Sequence, residues 1–221
     1  MANLDHKSDG TKPALFPLFL KLEGRSCLVV GAGSIAEAKI SSLLVSGARV
    51  RVVAPEAKAA VREWAHIGDV VWDRRNFQAS DLEGMFLVIA ATSSSELNAS
   101  VFREARKRNV LCNAVDDPDY CDFYYGAVVR RGDLQIAIST AGQSPSLAQR
   151  LREELEAKFT PAYSDWIAEL GRARQELFAR EMDPEERRRI LHELANGGPA
   201  ELPPVETARL SKETRGLIHA R

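Results

Sequence analysis

The chain has 221 residues, 45% of them apolar, enough to bury a core in one large domain or in one domain with a smaller appendage. Thirty Lys plus Arg stand against 31 Asp plus Glu, and the net charge of -1 gives none of the global positive field that marks a nucleic-acid or membrane-surface binder. No apolar run approaches the roughly 18 residues that cross a bilayer, and Met1 to Pro13 is polar where a signal peptide is apolar, so a cytoplasmic protein is expected.

The first regular element is Ser26 to Val30, a short β-branched run bounded by Arg25 and Gly31, the pattern of a strand buried on both faces. A helix is expected over Ser34 to Ser46, closed by Gly47. A strand at Val50 to Ala54, a helix from about Glu56 to Ile67, and strands at Val70 to Trp72 and Phe86 to Ala91 come next. A helix from about Ser94 to Arg108 leads into a fifth strand, Val110 to Asn113. This βαβαβ order implies a parallel, twisted, Rossmann-like sheet with right-handed crossovers, an α/β fold. Cys27 and Cys112 lie in apolar strand-like runs, and with Cys121 they make three cysteines without metal-site spacing, read as reduced packing residues.

After Asn113 the rhythm changes. Asp116-Asp117-Pro118-Asp119 is a turn, and strand-like runs at Phe123 to Val129 and Leu134 to Ser139 flank an Arg131-Gly132-Asp133 hairpin loop. From Ser144 onward the composition is helical, with Ser144-Pro145 and Asp183-Pro184 as N-cap and first-turn pairs. Asn196-Gly197-Gly198-Pro199 and Pro203-Pro204 interrupt it, leaving a loosely attached helix in the last twenty or so residues.

Gly31-Ala32-Gly33-Ser34-Ile35-Ala36 falls between the first strand and its helix, the setting that the dinucleotide fingerprint G-x-G-x-x-G/A requires. Gly31 permits the tight turn, Gly33 lets backbone approach a pyrophosphate, and Ala36 keeps the helix close to the sheet. Backbone N–H groups at the helix start then face the phosphates. The competing reading is a glycine-rich turn with no ligand. The second strand ends in Ala54-Pro55, and the nearest carboxylate for ribose hydroxyls is Glu56, which favours NAD over NADP. Arg49 and Arg51 precede the strand's end and form no obvious clamp for a 2′-phosphate. Ala90-Ala91-Thr92 leaves room for a nicotinamide, though Thr92 equally suits a helix cap.

Taken together, these residues resemble the precorrin-2 dehydrogenase family, also called siroheme synthase N-terminal or sirohydrochlorin ferrochelatase proteins. The likeness runs from Leu15-Phe16-Pro17-Leu18-Phe19-Leu20, expected as an opening strand, through Leu87 to Thr92 with Asn98 beyond it. Its most specific blocks are Cys112 to Asp117, similar to the family's Asn-x-Val-Asp segment, and Ile138 to Ala148, similar to its serine-rich turn into a helix. The resemblance implies a Rossmann domain over 1–115, a small β-containing dimerisation and active-site region over 116–150, and a helical C-terminal domain over 151–221. It implies a homodimer in which NAD⁺ takes a hydride from the tetrapyrrole precorrin-2 to give sirohydrochlorin, some members also inserting Fe²⁺. The family's fused methyltransferase domain is not among these residues, so precorrin-2 is expected from elsewhere.

By the same resemblance Asp116 is the catalytic aspartate, and cofactor contacts fall on Ser34, Ile35, Pro55 and Glu56. A carboxylate suits an oxidation that sheds pyrrolic protons, and Asp116 lies just past the fifth strand's carboxyl end, where open α/β sheets bind ligands. Asn113, Ser139, Thr140 and Ser144 are candidate substrate contacts, the three hydroxyls reading equally as caps for the helix near Pro145. Arg130, Arg131, Arg150 and Arg152 are candidates for tetrapyrrole carboxylates, with solvated surface the alternative for each. Phe123-Tyr124-Tyr125-Gly126 departs from the family's apolar stretch ending in proline, so strand geometry there is expected to differ. His6, His66, His192 and His219 are scattered, and no resident metal site is expected. The rival function is an NAD-sensing regulatory module without catalysis, which needs no acid at Asp116.

Overall fold

A computed structural model describes residues 14–199; the expected tail helix, the polar opening stretch and His6 and His219 lie outside them. The chain divides into two compact units, Met1–Tyr124 and Tyr125–Arg221. In the first, β1 (Ser26–Val30), α1 (Ser34–Val45), β2 (Arg49–Val53), α2 (Ala59–Ile67), β3 (Val70–Asp73), β4 (Leu87–Ala90), α3 (Ser95–Lys107) and β5 (Leu111–Ala114) alternate as expected. All five strands run parallel in the order β3-β2-β1-β4-β5.

Alternate strand residues feed opposite faces. Cys27, Val29, Val52 and Ile89 pack with Ala36, Ile40 and Val61 from α1 and α2. Leu28, Val30, Val88 and Ala90 pack on the other face with Val101, Phe102 and Ala105 of α3. The strand register is even at the carboxyl end: Asp73, Val53, Val30, Ala90 and Ala114 lie side by side across all five strands. The loops after β1, β2, β4 and β5 therefore leave the sheet at one level.

A charged network braces the β3 side of this unit. Asp81 is 2% exposed and accepts from Arg75 (Nη1, 2.9 Å) and from the Gln78 backbone N–H (2.8 Å), while Arg51 bonds Asp73 at 2.7 Å. The Arg75 hydrogen bond holds the Asp81 carboxyl below the usual carboxylate range, against the opposing effect of burial. A group with a depressed folded pKa stabilises above its unfolded pKa and loses that contribution as pH falls through the folded value. Asp81→Ala is expected to lower unfolding free energy by about 2 kcal/mol at neutral pH. In urea melts, the gap from the parent should narrow below about pH 4; a gap independent of pH would refute the assignment.

The second unit pairs β6 (Ala127–Arg131) with β7 (Leu134–Ile138) as an antiparallel hairpin, and the chain continues into α4 (Pro145–Lys158), α5 (Ala162–Phe178) and α6 (Pro184–Asn196). Asp183 caps α6 by accepting from the Glu185 and Glu186 N–H groups (2.9 and 3.1 Å).

Three expectations need correction. Leu15 to Leu20 is not a strand but an irregular segment, with Phe16 85% and Phe19 68% exposed. A β-rich composition makes a strand only where a sheet edge accepts its backbone, and Pro17 removes one donor. The strand expected from Phe123 begins at Ala127, because Asp122 N–H and the Phe123 carbonyl are already engaged by Cys112 O (2.7 Å) and the Asn113 amide (2.8 Å). The second helix starts at Ala59 rather than near Glu56, since Lys58 N–H turns to the Ala32 carbonyl (3.0 Å).

Candidate active site at the carboxyl edge of the parallel sheet

Four loops meet along the level edge of the first unit. After β1, Gly31 adopts φ +104° and donates its N–H to Val53 O (2.9 Å), closing the turn against β2. A methyl there would run into the Ala91 carbonyl, so only glycine fits. At Gly33 a methyl would meet nothing within 4 Å, so the space above its backbone is open. Glu37 N–H is bonded to Gly33 O (2.9 Å), and the amides of Ser34, Ile35 and Ala36 before it have no intrahelical acceptor. Gly33, Ser34 and Ile35 are exposed, Ala32 and Ala36 buried. Bare backbone, outward N–H donors and the positive helix end together fit a pyrophosphate.

Pro55 and Glu56, both exposed, come directly after β2 and Ala54. Their loop is fixed at each end, by Trp72 Nε1 donating to Ala54 O (3.0 Å) and by the Lys58 to Ala32 bond. After β4, Thr92 turns its hydroxyl inward to Asn98 Oδ1 (2.7 Å), and the cap of α3 is Ser94, which accepts from Leu97 N–H (3.2 Å). Thr92 is therefore not the cap, and what it offers a ligand is shape.

After β5 the chain makes a sharp corner. Val115 N–H bonds Ala90 O (2.9 Å), Asp117 N–H reaches Ala114 O (3.3 Å), and Asp116 between them has φ +62°. This left-handed conformation is uncommon for a residue other than glycine and is best tolerated by Asn and Asp. Asp116 is exposed, with its backbone held from below: Cys121 Sγ lies 3.1 and 3.2 Å from the Ala114 and Asp117 carbonyls. The Asn113 amide, 7% exposed, donates to Phe123 O and Cys121 Sγ, so its donors hold the loop.

The residue most easily missed is Lys39. It stands half-buried on α1 between Ala36 and Ile40, whose cluster also takes Val115, the neighbour of Asp116. Burial lowers the Lys39 pKa and the negative charge of Asp116 opposes that shift, placing an ammonium within electrostatic reach of the candidate carboxylate. Its only sequence signal is a cation one position from a buried helix face.

Ser139, Thr140 and Ser144 belong to the second unit. Ser139 Oγ accepts from Ala141 N–H (3.1 Å), Thr140 Oγ1 from Ser144 N–H (3.2 Å), and Ser144 Oγ from Leu147 N–H (3.2 Å) as the cap of α4. Each hydroxyl builds the turn and keeps its own proton to donate. Arg131 bonds the Phe159 and Glu156 carbonyls at the end of α4 (2.6 and 3.0 Å), Arg150 pairs with Glu154 (3.3 Å) and Arg152 with Glu156 (2.7 Å). Arg130 is exposed. Among the described residues no group of three or more His, Cys, Asp or Glu is placed to hold a metal ion, and no helix is long and apolar enough to cross a membrane.

Residues 18–127 match the family described as putative NAD(P)-binding, and residues 131–158 the family described as sirohaem biosynthesis protein central. The siroheme synthase of Neisseria meningitidis serogroup C (strain 053442) is 41% identical over 182 residues, and that of Photorhabdus laumondii 38% identical over 181. In both cases the match covers 82% of this chain and 38% of the relative, so the chain spans about two fifths of the length of these curated proteins. Among solved structures, SirC, a precorrin-2 dehydrogenase, superposes with a TM-score of 0.73 at 27% identity, covering 93% of this chain and 98% of its own. With an NAD(P)-binding sheet leading into the sirohaem central region, the chain belongs to the siroheme-biosynthesis family that includes these siroheme synthases and SirC.

Proposed function

We propose that this chain is an NAD-dependent dehydrogenase that oxidises precorrin-2 to sirohydrochlorin. The observation that carries the reading is the level edge of the sheet, where an open glycine turn at Gly33 and an exposed carboxylate at Asp116 leave the same row of strand ends. The SirC likeness over nearly the whole chain supports the choice of substrate. Gly31 to Ala36 would hold the pyrophosphate, Pro55 and Glu56 the adenosine end, and Thr92 the wall beside the nicotinamide. When bound, the nicotinamide supplies the acceptor for the hydride. Asp116 takes the proton released as the macrocycle gains conjugation, so that precorrin-2 loses one hydride and one proton per turnover. Lys39 keeps a positive charge within electrostatic reach of that carboxylate.

NAD rather than NADP is favoured by charge: Glu56 opposes a 2′-phosphate, while Arg51 and Arg75 are engaged by Asp73 and Asp81. Asn113 supports the substrate corner, and the protons left on Ser139, Thr140 and Ser144 serve tetrapyrrole carboxylates, with 116–150 as the dimerisation and active-site region of a homodimer. The test is direct. Purified protein given NAD⁺ and precorrin-2 should produce NADH together with the sirohydrochlorin spectrum. Tight cofactor binding with no NADH would overturn this reading in favour of a sensor module, and adding Fe²⁺ as substrate to the sirohydrochlorin formed tests chelation in the same cuvette.

A further inference from the structure

Asn98 is 4% exposed, and every bond of its side chain goes to one residue. Oδ1 accepts from the Thr92 backbone N–H (3.2 Å) and from Thr92 Oγ1 (2.7 Å), and Nδ2 donates to the Thr92 carbonyl (3.1 Å). A single amide thus grips both backbone polar groups and the hydroxyl of Thr92. Asn98 sits on α3 with its own N–H bonded to Ser94 O (3.0 Å), so the grip is anchored in a helix rather than in another loop. Thr92 Oγ1 also takes the Ser94 N–H (3.2 Å), which completes the β4 to α3 turn.

The neighbour of Thr92 shows what this grip positions. The Ala91 carbonyl is packed so closely on Gly31 that no Cβ fits between them. The glycine turn after β1 and the peptide after β4 that leads into Thr92 therefore lie against each other at the strand ends. They meet between β1 and β4, where the strand order reverses and where open α/β sheets take their ligand. The opposite, adenosine side is tied separately, through Lys58 to Ala32 and Trp72 to Ala54, with no bond to Asn98.

We propose that Asn98 is the positioning residue for the nicotinamide half of the cofactor, fixing through Thr92 the wall that this half rests against. The inference rests on the cofactor reading of the glycine turn, and its test separates the two. Binding of NAD⁺ and of ADP-ribose, which lacks the nicotinamide, is measured by calorimetry for the parent, Asn98→Ala and Asn98→Asp. The parent should bind both. Asn98→Ala should weaken NAD⁺ by about tenfold, one lost hydrogen-bonding set's worth, and leave ADP-ribose within about twofold. Asn98→Asp, which keeps the shape but faces a carboxylate to the Thr92 carbonyl, should show the same selective loss. A residue that merely stabilised the fold would weaken both ligands alike, and that result, or no change for either, overturns the proposal. If Asn98→Ala fails to fold, Thr92→Ala removes the 2.7 Å bond together with the hydroxyl's bonds to Ser94, leaves the two backbone bonds to Asn98, and should give a smaller loss confined to NAD⁺; an equal loss for both ligands overturns it. A parent that binds neither ligand overturns the cofactor reading itself, and this inference with it.

Discussion

Gly33→Ala is expected to melt with the parent protein yet bind the nicotinamide cofactor about a hundredfold more weakly, roughly 3 kcal/mol. The added methyl meets no protein atom within 4 Å and Gly33 has φ -80°, a value open to alanine, so folding has no reason to suffer. The same methyl occupies the space in which a pyrophosphate approaches the backbone amides of the α1 N-terminus. Gly31→Ala should fail in the opposite way. Its φ of +104° and the collision with the Ala91 carbonyl both act on the folded state, and together they should cost about 3 kcal/mol or more of stability before any ligand is added. Thermal melts and cofactor titrations on the two variants check this contrast. Unaltered cofactor affinity in a folded Gly33→Ala would mean that the turn is glycine-rich for its own geometry and holds no phosphate.

The second large effect is at Asp116. Asp116→Asn should keep fold and cofactor affinity and lower turnover of precorrin-2 by about a thousandfold, within the range of general acid–base catalysis. Asparagine is the replacement of choice because it has the same size and tolerates the left-handed φ of +62°, so backbone strain is not added to the loss of the proton acceptor. The amide also removes the negative charge that opposes the effect of burial on the half-buried Lys39 ammonium. Single-turnover kinetics with a parallel NAD⁺ titration separate chemistry from binding. A variant that turns over at the parent's rate would reduce Asp116-Asp117-Pro118 to an acidic corner.

Much of this was legible in the residues, where the signals are local. Strand–helix alternation, the glycine turn between Val30 and Ser34 and the caps at Ser144 and Asp183 all stand in the structure, because burial periodicity, positive φ and capping act within a few positions. Leu15 to Leu20 was misleading for the complementary reason: its composition suits a strand, but a strand exists only where another chain segment takes its hydrogen bonds. What the tertiary structure alone decided is the row Asp73, Val53, Val30, Ala90, Ala114, which brings four distant loops to one level, and the inward turn of Thr92 and Asn113. The electrostatic coupling of Lys39 to Asp116 and the grip of Asn98 on Thr92 belong to the same class. Each depends on hydrogen bonds or charges between residues brought together by strand register and helix packing, and no spacing along the chain encodes which donor will meet which acceptor.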